Sequence, residues 1–315
     1  MAVRPWGDPI VARGCVVLPS PSFLWCAILP IDRGMVLLIF GLGYCGTAIA
    51  EAARAAGLAV TGTARHPDGR DNIAFGAAAP AITAATHVLS TVPPDGDSDP
   101  VLTRYAEAIA AAPRLRWIGY LSSTVVYGDR EGGWVDEDTP PAPSQERGHR
   151  RLRAETAWSG FAATCRVDVF RLAGIYGAGR SAFDDLRANR ARRIARAGHT
   201  FGRIHRDDIA GAVLAAMCQP PAPGARIFNV TDDEPALSAL VVEEAASLLQ
   251  MPPPPLIPFA EAEAAMTPMA RTFWSENRKV ASRKTQAMLG YAWRYPSYRE
   301  GLRAILRQER PQHTP

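Results

Sequence analysis

The chain has no long apolar run, no CxxC pair, no basic tail and no internal repeat, and each absence removes a class of function. The most apolar stretch near the start, Phe23–Ile31, is too short and too broken by proline to span a membrane. A secretory signal would need a longer clean apolar core and a small-residue cleavage site. Five scattered cysteines, Cys15, Cys26, Cys45, Cys165 and Cys218, are odd in number and suggest neither a disulfide framework nor a metal site. Reduced thiols in a cytoplasmic protein is the simplest reading. A net charge of +4 is a mild excess, and without an RNA-binding signature it implies no nucleic-acid partner. Low complexity is confined to Pro252–Pro255.

What is present is an ordinary globular composition, 47% hydrophobic and 21% charged over 315 residues, enough for one large or two modest domains. Residues 1–34 differ from the rest. Pro5, Pro9, Pro19, Pro21 and Pro30 interrupt short apolar pieces, so the stretch is expected to be a poorly ordered extension. Met35 stands directly before the first strand and is expected to be an alternative start; a native N-terminus well before Met35 would refute this.

Val36–Phe40 is a short, unbroken apolar run, suited to a strand buried on both faces. It runs into Gly41-Leu42-Gly43-Tyr44-Cys45-Gly46, a GxGxxG, and then into a helix-forming stretch, Thr47–Ala56, that stops at Gly57. Strand, glycine turn and helix in that order are the context that a dinucleotide fingerprint requires. Gly41 permits the tight turn, Gly43 lets a pyrophosphate approach the backbone, and Gly46 lets helix and strand pack closely. The helix N-terminus offers free N–H groups to phosphate. Tyr44 and Cys45, within the turn, count as cofactor contacts with the glycines, as does Thr91 near the end of a later strand. Arg65 closes the second strand, Leu58–Ala64, 19 residues past Gly46. An acidic residue about 20 residues on would bind an NAD ribose, whereas a cation suits a 2′-phosphate. NADP is therefore the expected cofactor, with Asp68 and Asp71 keeping NAD open.

Further strands are expected at Ile73–Phe75, Thr86–Val92, Arg116–Ser122, Thr164–Leu172 and Arg226–Val230. Asp99-Pro100 reads as a helix start, a capping aspartate before proline at the first helical position. Helices are also expected at Arg150–Phe161, Arg180–Ala197, Asp207–Cys218, Leu237–Leu249 and near Ser297–Arg307. Strands alternating with helices give an α/β fold: a doubly wound parallel sheet with a small, mostly helical C-terminal part. The expected division is 35–170 for the dinucleotide-binding domain, with 203–232 returning to its sheet, and 171–202 plus 233–310 for the substrate part. Arg180–Ala197 carries Arg180, Arg187, Arg190, Arg192, Arg193 and Arg196, which reads either as a wall for an anionic substrate or as a solvated face.

SSTVVYG at Ser122–Gly128, following a strand and with the glycine turn upstream, resembles extended short-chain dehydrogenase/reductases, the NAD-dependent epimerase/dehydratase family. FRLAGIYGAGR at Phe170–Arg180, RIHRDDIAGAV at Arg203–Val213 and IFNVTDDEP at Ile227–Pro235 resemble further segments of that family in the right order. The resemblance covers roughly Met35–Leu306. It implies a seven-stranded Rossmann-type sheet, an NADP-dependent oxidoreductase, epimerase or dehydratase acting on a small anionic or nucleotide-linked substrate, and relatives that often form homodimers.

The family's chemistry uses a serine or threonine, a tyrosine, and a lysine four residues later. Counting back from Tyr127 puts Ser123 at the hydroxyl position. Anchored on Glu155, the family's tyrosine and lysine fall on Arg147 and Arg151. Arginine stays protonated, so Arg147 cannot be a general base, although Arg151 can still donate to cofactor hydroxyls. Ser123, His149 and Tyr127 are the candidate catalytic residues, and Tyr176, Arg180, Arg193 and His205 the candidate substrate contacts. The arginines also leave open a second function, an NADP-binding sensor without turnover.

Overall fold

The computed structural model describes residues 34–67 and 72–309. The expectations for the N-terminal extension, Asp68 and Asp71 fall outside these residues.

Seven parallel strands form one sheet: β1 (Val36–Phe40), β2 (Ala59–Ala64), β3 (Asn72–Ala74), β4 (His87–Ser90), β5 (Trp117–Ser123), β6 (Arg166–Leu172) and β7 (Gly224–Val230). Their spatial order is β7-β6-β5-β4-β1-β2-β3. The chain winds outward one way from β1 through β2 and β3, then crosses back to β4 and continues the other way. This reversal makes the β1/β4 junction the topological switch point, where open α/β sheets bind ligands beyond the carboxyl ends of their strands.

The sheet is buried on both faces because its strands alternate between two apolar layers. Leu37 and Ile39 of β1 point to one layer with Ile49, Phe170, Val213 and Phe228, while Leu38 and Phe40 point to the other with Ile109, Tyr120 and Trp158. Helices α1 (Tyr44–Ala55), α2 (Pro100–Ala110), α3 (Glu146–Ser159) and α4 (Arg206–Met217) cover these faces, α1 and α4 on the first and α2 and α3 on the second. The Asp99 carboxylate caps α2, accepting from the N–H groups of Val101 and Leu102 at 2.9 and 3.1 Å, with Pro100 at the first helical position. A third apolar cluster, built from Tyr176, Phe183, Leu186, Val242, Tyr298 and Ile305, lies in the C-terminal part, where α5 (Ser238–Leu248) and α6 (Tyr298–Glu309) pack.

One expected element is corrected. Arg180–Ala197 is not a single helix: only Ala182–Arg187 is helical, and Arg193–Ala195 is a strand paired in parallel with Leu256–Pro258. Asn189 sits in the left-handed region (φ 52°) and breaks the helix. Its apolar residues serve two places, Phe183 and Leu186 the third cluster, and Ile194 a separate one with Ala262 and Met266.

Candidate functional site

The turn after β1 is pinned from both sides. The Gly41 N–H donates to Thr63 Oγ1 at 3.0 Å, the Leu42 N–H donates to the Thr63 carbonyl at 2.8 Å, and Thr91 Oγ1 donates to the Gly41 carbonyl at 2.6 Å. Gly41 adopts φ 94°, a conformation that a side chain would strain. A Cβ on Gly46 would lie 2.1 Å from the Gly41 carbonyl oxygen, so only glycine lets α1 approach β1 this closely. A Cβ on Gly43 would meet nothing within 4 Å, so the backbone here faces open space. No side chain caps α1 and no acidic residue occupies its first turn. Its N–H groups therefore remain available to an anion. This donor set fits a dinucleotide pyrophosphate.

The other residues expected to contact the cofactor surround this turn in different ways. Tyr44 is half-buried; its hydroxyl donates to the Ala178 carbonyl at 3.0 Å, and the Arg206 guanidinium lies 4.9 Å above its ring. Cys45 is buried, which pushes its thiol pKa up to about 11. Thr91 spends its hydroxyl on holding the turn. Arg65 is exposed just past the carboxyl end of β2. Arg151 reaches the sheet, donating to the Leu121 carbonyl at 2.8 Å and to the Tyr120 hydroxyl at 3.1 Å.

Beside the turn, beyond β5 and β6, opens a cleft of about 500 Å³ lined by Ser123, Arg147, Tyr176, Arg180, Thr200, Phe201, Arg203, Phe273, Trp274, Glu276 and Arg278, among others. Glu276 is the only acid among its lining residues, against four arginines. Two of these charges are satisfied within the protein. Arg278 pairs with Glu276 at 2.7 Å, and half-buried Arg203 donates to the carbonyls of Phe201 and Ala236 at 2.9 and 3.2 Å. Arg147 stacks on the Phe273 ring at 4.4 Å, and its Nε is buried without an acceptor. Burial lowers the Arg147 pKa, and Glu276 partly opposes that shift. A second cavity of about 540 Å³ adjoins the first, sharing Tyr176, Arg180 and Arg203 and adding Arg190 and Arg192.

Helix α3 is fixed against the sheet by a buried network. Glu155 pairs with Arg171 of β6 at 2.8 Å and accepts from Ser122 Oγ of β5 at 2.6 Å. This anchorage carries Arg147 to the cleft at the N-terminal end of α3 and Arg151 to the edge of β5.

The candidate catalytic residues are not brought together. Ser123 lines the cleft, its Oγ accepting from the Val125 N–H at 3.3 Å. Tyr127 is removed from the candidates: it is fully buried, its hydroxyl lies 2.8 Å from both the Asp136 carbonyl and Asn229 Oδ1, and Arg171 stacks on its ring at 4.8 Å. Burial raises its pKa, so it is a packed phenol rather than a proton carrier. His149 is exposed on α3 and is not among the cleft-lining residues.

Of the candidate substrate contacts, Tyr176 and Arg180 line the cleft. Tyr176 donates to the Ser297 carbonyl at 3.3 Å, and burial raises its pKa. Arg193 is corrected: it pairs with Glu243 of α5 and lines neither cavity. His205 is corrected in the same way. It is buried, its Nδ1 accepting from the Asp207 N–H at 3.1 Å to cap α4. Asp208 next to it accepts from the N–H groups of Arg294 and Tyr295 at 2.7 and 3.0 Å, docking the C-terminal part onto α4.

Sequence reasoning missed Phe201, Phe273, Trp274, Glu276 and Arg278. The juxtaposed aromatic pair and charges of Phe273–Arg278 (FWSENR), in a stretch expected only to alternate short helices with loops, were the available signal. Among the described residues, no helix is long and apolar enough to cross a membrane, and no cluster of three or more His, Cys, Asp or Glu could hold a metal ion.

Comparison with known proteins places this geometry. A conserved protein of unknown function from Silicibacter pomeroyi is 41% identical, covers 88% of this chain and 100% of its own, and superposes with a TM-score of 0.79. A human epimerase family protein, SDR39U1, solved with NADPH, is 21% identical over 87% of this chain and 99% of its own, with a TM-score of 0.71. The fold is the one seen in short-chain dehydrogenase/reductases. Its structural neighbours are of the epimerase/dehydratase type, as the resemblance implied. Protein YeeZ of Escherichia coli K12 is 31% identical over 145 residues, 46% of this chain, and the match spans half the length of that curated relative. No family model matches the chain.

Proposed function

We propose that this protein binds NADP(H) across Gly41–Gly46 and uses it as an oxidoreductase, epimerase or dehydratase on a small anionic or nucleotide-linked substrate held in the Ser123–Arg147 cleft. The observation that carries the reading is the glycine turn. Gly46 is required by packing, whereas Gly43 opens onto free space beside an uncapped helix end. The second observation alone would leave a run of unused N–H donors, which a pyrophosphate satisfies. Bound there, the nicotinamide supplies a hydride donor or acceptor. Arg65, exposed just past the carboxyl end of β2, would meet the adenosine side and suits a 2′-phosphate. Arg151 would hold ribose hydroxyls with the donors it does not spend on Leu121 and Tyr120. The Ser123 hydroxyl would orient a substrate oxygen, Arg147 and Arg180 would draw in its charge, and Phe201, Phe273 and Trp274 would exclude water from it.

A second reading, binding without turnover, draws on Arg147. The position that holds the proton-transferring tyrosine in this family carries a permanent cation here, and the two acid/base groups that line the cleft are otherwise engaged. Tyr176 is tied to Ser297, and Glu276 to Ser144 and Arg278. Calorimetric titration of NADPH and NADH into the purified protein tests both readings. Binding of neither removes both, and preferential NADH binding overturns the role given to Arg65. If NADPH binds, its oxidation is screened against sugar nucleotides and small carbonyl compounds. Binding without oxidation favours the sensor.

A further inference from the structure

Arg147 is a cation in a cleft that leaves it unanswered. Among the described residues its side chain makes no hydrogen bond and no ion pair, and its contact is the face of Phe273. The nearest acid cannot relieve it. Glu276 already accepts from Ser144 Oγ at 2.6 Å through one oxygen and from Arg278 at 2.7 Å through the other. An N–H buried without an acceptor is costly, and a guanidinium removed from water gains most from a charge-assisted partner. A guanidinium also offers two parallel N–H bonds to a planar carboxylate. The walls around it are flat and apolar: Phe201 and Trp274 meet edge to face at 5.0 Å, and Phe273 lies under the guanidinium itself. The unpaired Arg147 fork beside these rings matches a planar anion on a flat body, with Arg180, also without an ion pair among the described residues, lining the same cleft.

We infer that the cleft selects a substrate bearing a carboxylate on a flat, apolar or conjugated body, and that Arg147 is the residue that pairs with the carboxylate. Arg147 then occupies the tyrosine position as a specificity determinant rather than as an acid. The inference deepens the reading of this cleft as the substrate side of the dinucleotide site, and it fixes the substrate class that reading leaves open.

The test uses the full-length protein and three matched probes, 2-naphthoate, 2-naphthamide and 2-naphthyl phosphate, titrated by calorimetry or ligand-observed NMR. Naphthoate is expected to bind about tenfold or more tightly than naphthamide, the value of a charge-assisted pair. Arg147→Met should abolish that preference, and Arg147→Lys, which keeps the charge and loses the fork, should fall between. Equal binding of acid and amide, no saturable binding of naphthoate, tighter binding of the phosphate than of the carboxylate, or an unchanged preference in Arg147→Met would each overturn the proposal. The probe comparison in the wild type stands even if the Met variant fails to fold. NADPH titrated in parallel separates the two readings: naphthoate failing while NADPH binds sinks this inference alone, and NADPH failing while naphthoate binds sinks the cofactor assignment alone.

Discussion

Two glycines three residues apart should respond to the same substitution in opposite ways. In Gly46→Ala, the new methyl starts 2.1 Å from the Gly41 carbonyl oxygen and 3.1 Å from its carbon. Backbone cannot swing aside as a flexible side chain can, so α1 must move off β1 by about 1 Å to reach a tolerable contact. The same shift loosens Ile49 and Ala53 from the layer they fill with Leu37 and Ile39. Overpacking of this kind costs about 1–3 kcal/mol, a fall in Tm of several degrees. In Gly43→Ala the methyl meets nothing within 4 Å, and Gly43 sits at φ −87°, where alanine is at ease. The fold should therefore be untouched, while a pyrophosphate seated against that backbone meets the methyl. The expected pattern is a lowered Tm in Gly46→Ala, a wild-type Tm in Gly43→Ala, and NADPH affinity down by about tenfold or more in Gly43→Ala. Scanning calorimetry and NADPH titration read both. Unchanged NADPH affinity in Gly43→Ala would refute the pyrophosphate seat, and an unchanged Tm in Gly46→Ala would refute the packing argument.

Three more outcomes are expected. Arg65→Ser should weaken NADPH by about tenfold and leave NADH unchanged; an unaltered ratio of dissociation constants would remove Arg65 from 2′-phosphate recognition. Glu155→Gln leaves Arg171 buried without its charge partner and weakens the acceptor of Ser122, so denaturant unfolding should show a loss of about 3–5 kcal/mol; a loss under about 1 kcal/mol would mean that this network does not hold α3. Burial lowers the His205 pKa from 6.5 to about 4, with Asp207 opposing and Arg206 and Arg294 reinforcing. Between those pH values the unfolded chain binds a proton that the folded chain refuses, so this stability is present above about pH 6.5 and lost as pH falls towards 4, on the order of 3 kcal/mol in all. Asp208, raised to about 6 by burial, acts with the opposite sign, so the measurement is the difference in unfolding free energy between wild type and His205→Asn across pH 7 to 5. A constant difference would contradict the assignment.

How much of this was legible in the chain follows from the range of the interactions involved. All seven sheet strands were readable because a strand buried on both faces declares itself in a few consecutive residues, as Val36–Phe40 and Thr164–Leu172 do. The α2 start at Asp99-Pro100 is local as well, since cap and helix are chain neighbours. Tyr127 was misjudged because its fate is decided by partners 9 and 102 residues away, Asp136 and Asn229. Arg193 was read with its neighbours as one cationic face, but Glu243, 50 residues on, neutralises it, as Glu309 does Arg187. The aromatic wall of the cleft joins Phe201 to Phe273 and Trp274, and no periodicity in sequence links stretches that meet only by docking.

The two arginines on α3 are best understood together. In the family pattern a lysine four residues after the tyrosine serves the tyrosine, lowering its pKa so that it can move a proton. With Arg147 at the first position, as the resemblance implies, there would be no proton to move and the second position would be freed from that duty. Arg151 here turns to the sheet, where the Leu121 carbonyl and Tyr120 hydroxyl take its donors. Arg147 turns to the cleft and finds an aromatic face in place of an acceptor. Like charges four apart on a helix repel by a few tenths of a kcal/mol, and burial of Arg147 raises that cost. On the proposed reading, a fold that holds Arg147 unpaired in the cleft, with Glu276 already paired to Arg278, gains stability when the cleft holds an anion. On this proposal, the residue that takes tyrosine chemistry away would supply a binding determinant in its place. Recognition in this cleft would then rest on a permanent charge rather than on a titrating group.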